Sequence, residues 1–301
     1  RPERLIDTMA NGSLRASAVL AGFFAFTLPL MPVQALLLKT APKSARRFPN
    51  WYHKNVCRIL GITLKIEGQV VENKPVLLVC NHTSWLDIPV LSALAPVSFV
   101  AKLEVGSWPF VSALARLQRS VFVDRTRRHA TGEAATAITS RLKQGDTIVL
   151  FAEGTSSDGN RVLPFKTSLF GAVASQDGAA RTDIVVQTAA VVYTHVRGVP
   201  LTRADRPRIG WYGDMEMTSH AWGVLRSGPI TVTIKVDPPV PLSEFKDRKD
   251  LALRTERAVR TAVLGILRGR PGDPRLVPVE PSPEVRRQKV AVSIARSEKW
   301  T

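Results

Sequence analysis

Short apolar runs alternate along this chain with stretches of helical pattern. Two of these runs, Val76 to Cys80 and Ile148 to Phe151, are apolar at every position rather than at every second one, which is typical of strands covered on both faces. The sequence therefore predicts an α/β domain with a central, mainly parallel β-sheet flanked by helices. The predicted strands are 76–80, 97–101, 120–123, 147–151, 183–193 and 230–236, and helical patterns include 130–142 and 251–267.

An uncharged apolar segment of 23 residues, Ala16 to Leu38, precedes this pattern. As a straight helix it would be about 34 Å long, against a hydrocarbon core of about 30 Å. Pro29 and Pro32 interrupt it, so a single membrane span, a bent re-entrant hairpin and a buried helix are three competing interpretations. We expect an N-terminal membrane-associated helix or hairpin.

Positive charge dominates the composition, with 42 Lys and Arg against 25 Asp and Glu and a formal net charge of +17. Composition alone fits nucleic acid, anionic lipid or an acidic carrier protein as partner. Seven basic residues and no acidic residue lie between Lys39 and Lys65, directly after the apolar segment. This placement favours an anionic membrane surface over nucleic acid, and a main domain on the cytoplasmic face of the inner membrane.

The stretch 81–87, N-H-T-S-W-L-D, follows a predicted buried strand and precedes a helix that we expect to begin at Pro89. Acyl transfer to an alcohol needs a base, and His82 suits that role near neutral pH. Asp87 on the other ring nitrogen would fix the tautomer and stabilise the imidazolium. The spacing alone is weak evidence, because chance produces it in roughly one such chain in five. A structural histidine bonded to a carboxylate is the alternative.

A second polar block, F-A-E-G-T-S-S-D-G-N-R at 151–161, also follows a predicted buried strand. Between the two blocks lies V-F-V-D-R at 121–125. In order and spacing, these blocks resemble the glycerolipid acyltransferase family of 1-acylglycerol-3-phosphate acyltransferases, whose signature is N-H-x4-D, then a phenylalanine-aspartate-arginine-like block, then F-P-E-G-T-R-S. The resemblance covers about residues 50–240.

The resemblance implies His82 as general base, Asp87 as its orienter, and acyl carrier protein or coenzyme A as the carrier of the donor acyl group. It implies a lyso-lipid acceptor, no cofactor and no metal. The two cysteines, Cys57 and Cys80, also lack metal-ligand spacing. The predicted substrate-binding residues are Arg125, Glu153, Gly154, Thr155, Ser156 and Lys166, of which Lys166 is equally well explained as a solvated surface lysine.

The main departure from the family signature is Ser156, which stands where the signature has an arginine expected to engage the acceptor phosphate. Loss of that cation weakens the case for a phosphate-bearing acceptor. The run 156–170 is similar to the branch that acylates lyso-ornithine lipid, whose acceptor carries no phosphate. The resemblance therefore implies O-acylation of lyso-ornithine lipid. Phosphatidic acid synthesis is the nearest alternative, and a non-catalytic basic membrane-surface binding protein is an alternative from another class.

The sequence also predicts a division of the chain into three parts. Residues 1–50 form the predicted membrane anchor and basic juxtamembrane segment, 51–270 the acyltransferase domain, and 271–301 a Pro-rich basic tail.

Overall fold

The computed structural model describes residues 2–123, 130–174 and 183–269. The predicted tail and the predicted head-group residue Arg125 lie outside these ranges. The helices are α1 Pro2–Thr40, α2 Pro42–Leu60, α3 Asp87–Leu94, α4 Val111–Leu117, α5 Ala130–Lys143, α6 Gly171–Ala174, α7 Met217–Ser227 and α8 Arg248–Leu267. The strands are β1 Ile62–Glu67, β2 Val76–Cys80, β3 Val97–Lys102, β4 Val121–Val123, β5 Thr147–Phe151, β6 Val185–Val196, β7 Val199–Pro200, β8 Ile230–Val236 and β9 Val240–Pro241.

Within the described ranges, the strands form one mixed sheet in the order β1-β8-β6-β2-β5-β3-β4, with β7 and β9 paired to β6. β2 runs parallel to both of its neighbours, β5 and β6, and β3 runs parallel to β5 and β4. β8 is antiparallel to β6 and parallel to the edge strand β1. The predicted central, mainly parallel sheet flanked by helices is confirmed.

The sheet separates two apolar cores, and alternate residues of β2 point into each. Leu78 and Cys80 belong to the core under α2, α3 and α7, whereas Leu77 and Val79 belong to the core under α5, α6 and α8. All five residues of β2 are buried. This two-sided coverage explains why the run has no polar position.

The long helix α1 continues through Pro29 and Pro32, which contradicts the re-entrant hairpin, one of the three interpretations that the sequence left open. Both prolines are exposed, and the opposite side of α1 packs on α2. Thr27 is buried there and shares a hydrogen bond of 2.7 Å with the Tyr52 hydroxyl. Packing on this side holds the helix together despite the two missing amide donors.

α3 begins at Asp87, two residues before the predicted start at Pro89. The turn starts earlier because the amides of Asp87 and Ile88 already donate to the carbonyls of Ser84 and Trp85, at 3.0 and 3.2 Å. Pro89 lies in the first turn, where its missing amide is not needed. α2 spans the predicted domain boundary at residue 50, and that division stays a prediction.

Candidate active site

The two sequence blocks lie side by side because β2 and β5 are parallel neighbours. Cys80 is opposite Phe151 in the register, so the chain leaves both strands at the same edge of the sheet. The Ser157 amide donates to the His82 carbonyl at 2.9 Å, directly joining the two loops. A polar site at the carboxyl edge of parallel strands is the usual arrangement in open α/β sheets.

Glu153 joins these loops through its carboxylate. One oxygen accepts a hydrogen bond from the His82 amide and the other from the Leu163 amide, both at 2.7 Å. Burial raises the pKa of this carboxyl to about 7, against the lowering effect of the two amide donors. Its carboxylate is thus committed to the protein backbone, which makes Glu153 a support of the site wall.

His82 and Asp87 form a hydrogen-bonded pair, with 2.8 Å between His82 Nδ1 and Asp87 Oδ2. The Asp87 side chain is fully buried, whereas 20% of the His82 side chain is exposed. The imidazole stacks on the Phe151 ring, with 4.1 Å between ring centroids. Because Nδ1 is bonded to the carboxylate, Nε2 is the ring nitrogen left to meet a substrate.

Asp87 is held by three further donors. Its Oδ2 also accepts from the amides of Thr83 and Ser84, at 2.7 and 3.0 Å, and its Oδ1 accepts from the Tyr193 hydroxyl at 2.6 Å. Burial, followed by the charge of Asp87, holds the pKa of Tyr193 well above its usual value, so this hydroxyl stays protonated as a donor. The carboxylate is therefore fixed in one orientation toward His82.

Tyr193 and Asn81 are site residues for which the sequence analysis assigned no role. Asn81 pairs with Val191 of β6, through Nδ2 to the carbonyl at 2.9 Å and through Oδ1 to the amide at 2.8 Å. These bonds extend the β2–β6 ladder by one residue and fix where the loop 81–86 begins. This loop is the candidate catalytic loop, called the catalytic loop below. A usable signal for Tyr193 was its place near the carboxyl end of a strand predicted to be buried.

Ser156 is engaged by the protein itself, since its hydroxyl donates to the Trp211 carbonyl. The Trp211 amide in turn donates to the Thr83 carbonyl at 2.9 Å. The segment 201–216, which connects β7 to α7, is thus fastened to the catalytic loop. The Trp211 ring also makes an edge contact with Trp108, at 6.1 Å between centroids.

The remaining predicted binding residues lie at the turn after β5. Gly154 has φ +72°, and a Cβ there would lie 2.9 Å from Lys166 Cδ, so the turn requires glycine. Thr155 and Lys166 are exposed beside it. Among the residues with described side chains, no group of three or more His, Cys, Asp or Glu has a metal-binding arrangement.

Comparison with known proteins gives consistent matches. The acyltransferase family model matches residues 61–192. The lyso-ornithine lipid O-acyltransferase of Brucella abortus is 46% identical over 260 residues, which are 86% of this chain and 97% of that protein. The enzyme of the same name from Rhizobium meliloti is 43% identical, over 81% of this chain and 84% of its own length.

More distant matches carry a different name. The 1-acyl-sn-glycerol-3-phosphate acyltransferase of Neisseria gonorrhoeae is 30% identical, over 74% of this chain and 83% of its own length. The crystal structure of the 1-acyl-sn-glycerophosphate acyltransferase from Thermotoga maritima aligns with a TM-score of 0.61 at 22% identity. That alignment covers 86% of this chain and 95% of the crystallised chain, and it shows a shared fold.

Proposed function

This chain belongs to the acyltransferase family, and we propose that it transfers a fatty acyl group from acyl carrier protein or coenzyme A to the hydroxyl of lyso-ornithine lipid. The observation that carries the proposal is the His82–Asp87 pair, set 2.8 Å apart beside the Glu-Gly-Thr turn. An enzyme that transfers acyl groups needs a base at such a place, and this imidazole is partly exposed while its carboxylate partner is buried.

In the proposed mechanism, His82 Nε2 removes the proton of the acceptor hydroxyl as that oxygen attacks the thioester carbonyl. The new C–O bond forms, and the tetrahedral intermediate then breaks its C–S bond. The imidazolium returns the proton to the leaving thiolate sulfur. Asp87 keeps Nδ1 protonated and stabilises the charged ring throughout, without taking the proton itself.

The choice of acceptor is supported by two observations. The most similar of the relatives named above act on lyso-ornithine lipid by their names. Ser156 supplies no cation for a phosphate, and its hydroxyl is already bonded to the Trp211 carbonyl. An acceptor without a phosphate fits this position better than 1-acylglycerol 3-phosphate does.

We also propose that the protein lies on the cytoplasmic face of the inner membrane, as the seven basic residues from Lys39 to Lys65 favour. Gly12–Thr40 is one helical segment long and apolar enough to cross a bilayer by length and composition. This helix is tied to the domain at two places, since Arg15 donates to the Leu60 carbonyl at 3.1 Å and Gln34 donates to the Leu117 carbonyl at 3.0 Å. This attachment favours a helix lying in the membrane surface over a helix that projects from the domain and spans the bilayer.

The acceptor is tested with purified protein, one labelled acyl donor and two acceptors offered in parallel. We expect acylation of lyso-ornithine lipid and much slower acylation of 1-acylglycerol 3-phosphate, with the donor supplied first as acyl carrier protein thioester and then as coenzyme A thioester. The reverse preference would establish the phosphatidic acid alternative. No turnover with either acceptor and either donor would favour the non-catalytic membrane-binding protein.

A cellular measurement tests the same acceptor independently. Lipids extracted from cells lacking the gene should contain less ornithine lipid and more of its lyso form than lipids from the parent cells. Unchanged amounts of both lipids would contradict the proposal.

A further inference from the structure

A small cleft lies next to the catalytic loop, at the carboxyl edge of β2 and β6. Its wall includes Asn81 and Thr83, the residues on either side of His82, together with Gly159 from the second block. A Cβ at Gly159 would lie 3.1 Å from Thr83 Cγ2, which shows how closely the two loops pack here. The cleft therefore borders the reaction site, although the His82 ring itself faces Phe151.

The charged residues that line this cleft are both arginines, Arg161 and Arg206. Arg206 donates through Nη1 to Asn160 Oδ1 at 2.9 Å and through Nη2 to the Leu201 carbonyl at 3.3 Å. Its Nε is buried and has no hydrogen-bond partner among the described residues. That nitrogen is sealed from solvent, but Nη1 and Nη2 each carry a second N–H that can donate to an anion in the cleft.

The carboxylates near these arginines are already engaged. Asp158 accepts from the Asn160 amide at 3.0 Å, and Asp205 accepts from the Thr202 hydroxyl at 2.6 Å.

Ser156, the main departure from the family signature, is linked to this cleft. The Ser156 hydroxyl, which replaces a head-group cation, bonds the Trp211 carbonyl and so helps to hold the segment 201–216 against the catalytic loop. Arg206 belongs to that same segment. Serine in place of the signature arginine thus removes one cation from the turn after β5. It also helps to anchor the segment 201–216, which brings Arg206 to the neighbouring cleft.

We propose that the cleft between Arg161 and Arg206 binds the carboxylate of the acceptor's amino-acid head group, with Arg206 as the main donor. This inference rests on the proposed function. In an N-acyl amino acid that is hydroxylated at carbon 3 of its acyl chain, six bonds separate the hydroxyl oxygen from the carboxyl carbon, or about 7 Å when extended. Thr83 lines the cleft and adjoins His82, so one acceptor molecule can place its carboxylate in the cleft and its hydroxyl near the base.

The test combines a protein variant with a substrate variant. Arg206→Gln is compared with the parent and with Arg203→Gln, which removes an exposed arginine from the same segment. Each protein is assayed with lyso-ornithine lipid and with an analogue whose carboxylate is a neutral carboxamide. We expect Arg206→Gln to raise the KM for lyso-ornithine lipid about 10- to 100-fold, with kcat and the donor KM close to the parent values. Arg203→Gln should match the parent.

The carboxamide analogue provides the decisive comparison. The parent enzyme should bind it about as poorly as Arg206→Gln binds the natural acceptor, and Arg206→Gln should bind both acceptors alike. If Arg206→Gln raises the KM for both acceptors by the same factor, Arg206 has a purely structural role and the proposal is wrong. A rise in the KM of the donor alone would instead assign the cleft to the phosphate of the acyl carrier and would overturn the carboxylate proposal.

Two further results keep the test independent of folding and of the proposed function. If Arg206→Gln does not fold, the parent enzyme assayed with the two acceptors still decides, because equal KM values there contradict a carboxylate subsite. If the parent acylates neither ornithine acceptor but does acylate 1-acylglycerol 3-phosphate, the proposed function itself has failed.

Discussion

Asp87 is the residue on which the geometry of the site depends, because four hydrogen bonds converge on its two oxygens in a place with no solvent. Its spacing from His82 is local and was visible in the sequence. The fourth donor, Tyr193, lies 106 positions away and reaches Asp87 because β6 extends beyond the end of β2. A partner that depends on strand lengths and sheet order cannot be read from residue spacing.

We predict that Tyr193→Phe lowers kcat about tenfold while leaving the KM for the acceptor nearly unchanged. The change leaves Asp87 Oδ1 buried without a partner, so the carboxylate can turn and His82 loses its fixed orientation. In an Asp87→Asn background the same change should cause little further loss, because the two residues act through one contact.

Tyr52→Phe is the matched control, since it removes another buried tyrosine hydroxyl, one that is bonded to Thr27 and not to Asp87. It should leave kcat near the parent value and combine additively with Asp87→Asn. Additive losses for Tyr193→Phe and Asp87→Asn would show that Tyr193 does not act through the carboxylate.

At the scale of elements, the ends of β2 and β5 bring the two blocks together, and Glu153 fastens them. The sequence predicted the buried strands and hence this edge, because a run apolar at every position indicates a strand covered on both faces. It assigned Glu153 to the acceptor pocket, yet both carboxylate oxygens accept backbone amide bonds. A motif names the residues at a site, but which of them face the substrate depends on side-chain directions that a motif does not contain.

We predict that Glu153 makes the protein less stable as pH rises toward neutrality. Its pKa is raised from 4.5 to about 7, so between these values the folded chain keeps a proton that the unfolded chain has released. The free energy of unfolding should then fall with rising pH across this window, by at most about 1.4 kcal/mol per pH unit from this group.

Urea unfolding at pH 5, 6 and 7 checks this prediction. Glu153→Gln has no titrating group at this position, so its free energy of unfolding should lack this contribution to the pH dependence. The difference in unfolding free energy between the parent and the variant should therefore change with pH by the slope given above. Glu244→Gln, at an exposed glutamate, should retain the slope of the parent. Parallel pH dependences for the parent and Glu153→Gln would contradict a proton held on Glu153.

At the scale of the whole molecule, α1 gives the domain an apolar outer surface. Leu28 and Leu36 are 53% and 61% exposed on the side away from α2, where a water-soluble helix would carry charge. The sequence identified the apolar run and the basic residues that follow it. It did not predict how α1 lies on the domain, because the contacts of Arg15 and Gln34 are made with residues distant in sequence.

We predict that Leu28→Asp weakens binding to vesicles of phosphatidylcholine and phosphatidylglycerol about 10- to 100-fold, because it removes an exposed leucine that would enter the lipid and adds a charge there. Flotation of the protein with vesicles measures this. Leu253→Asp is the control, since Leu253 is 46% exposed on α8, which lies across the sheet from α1. Equal losses for the two variants would exclude α1 as the membrane-binding surface.

The role of His82 is tested by the rate of acyl transfer by His82→Ala, measured on protein whose melting curve matches that of the parent. Removal of the general base should lower turnover of lyso-ornithine lipid by at least about 10² to 10⁴, with the fold retained. A folded His82→Ala protein that turns over at the parent rate would contradict the role of His82 on which the mechanism rests.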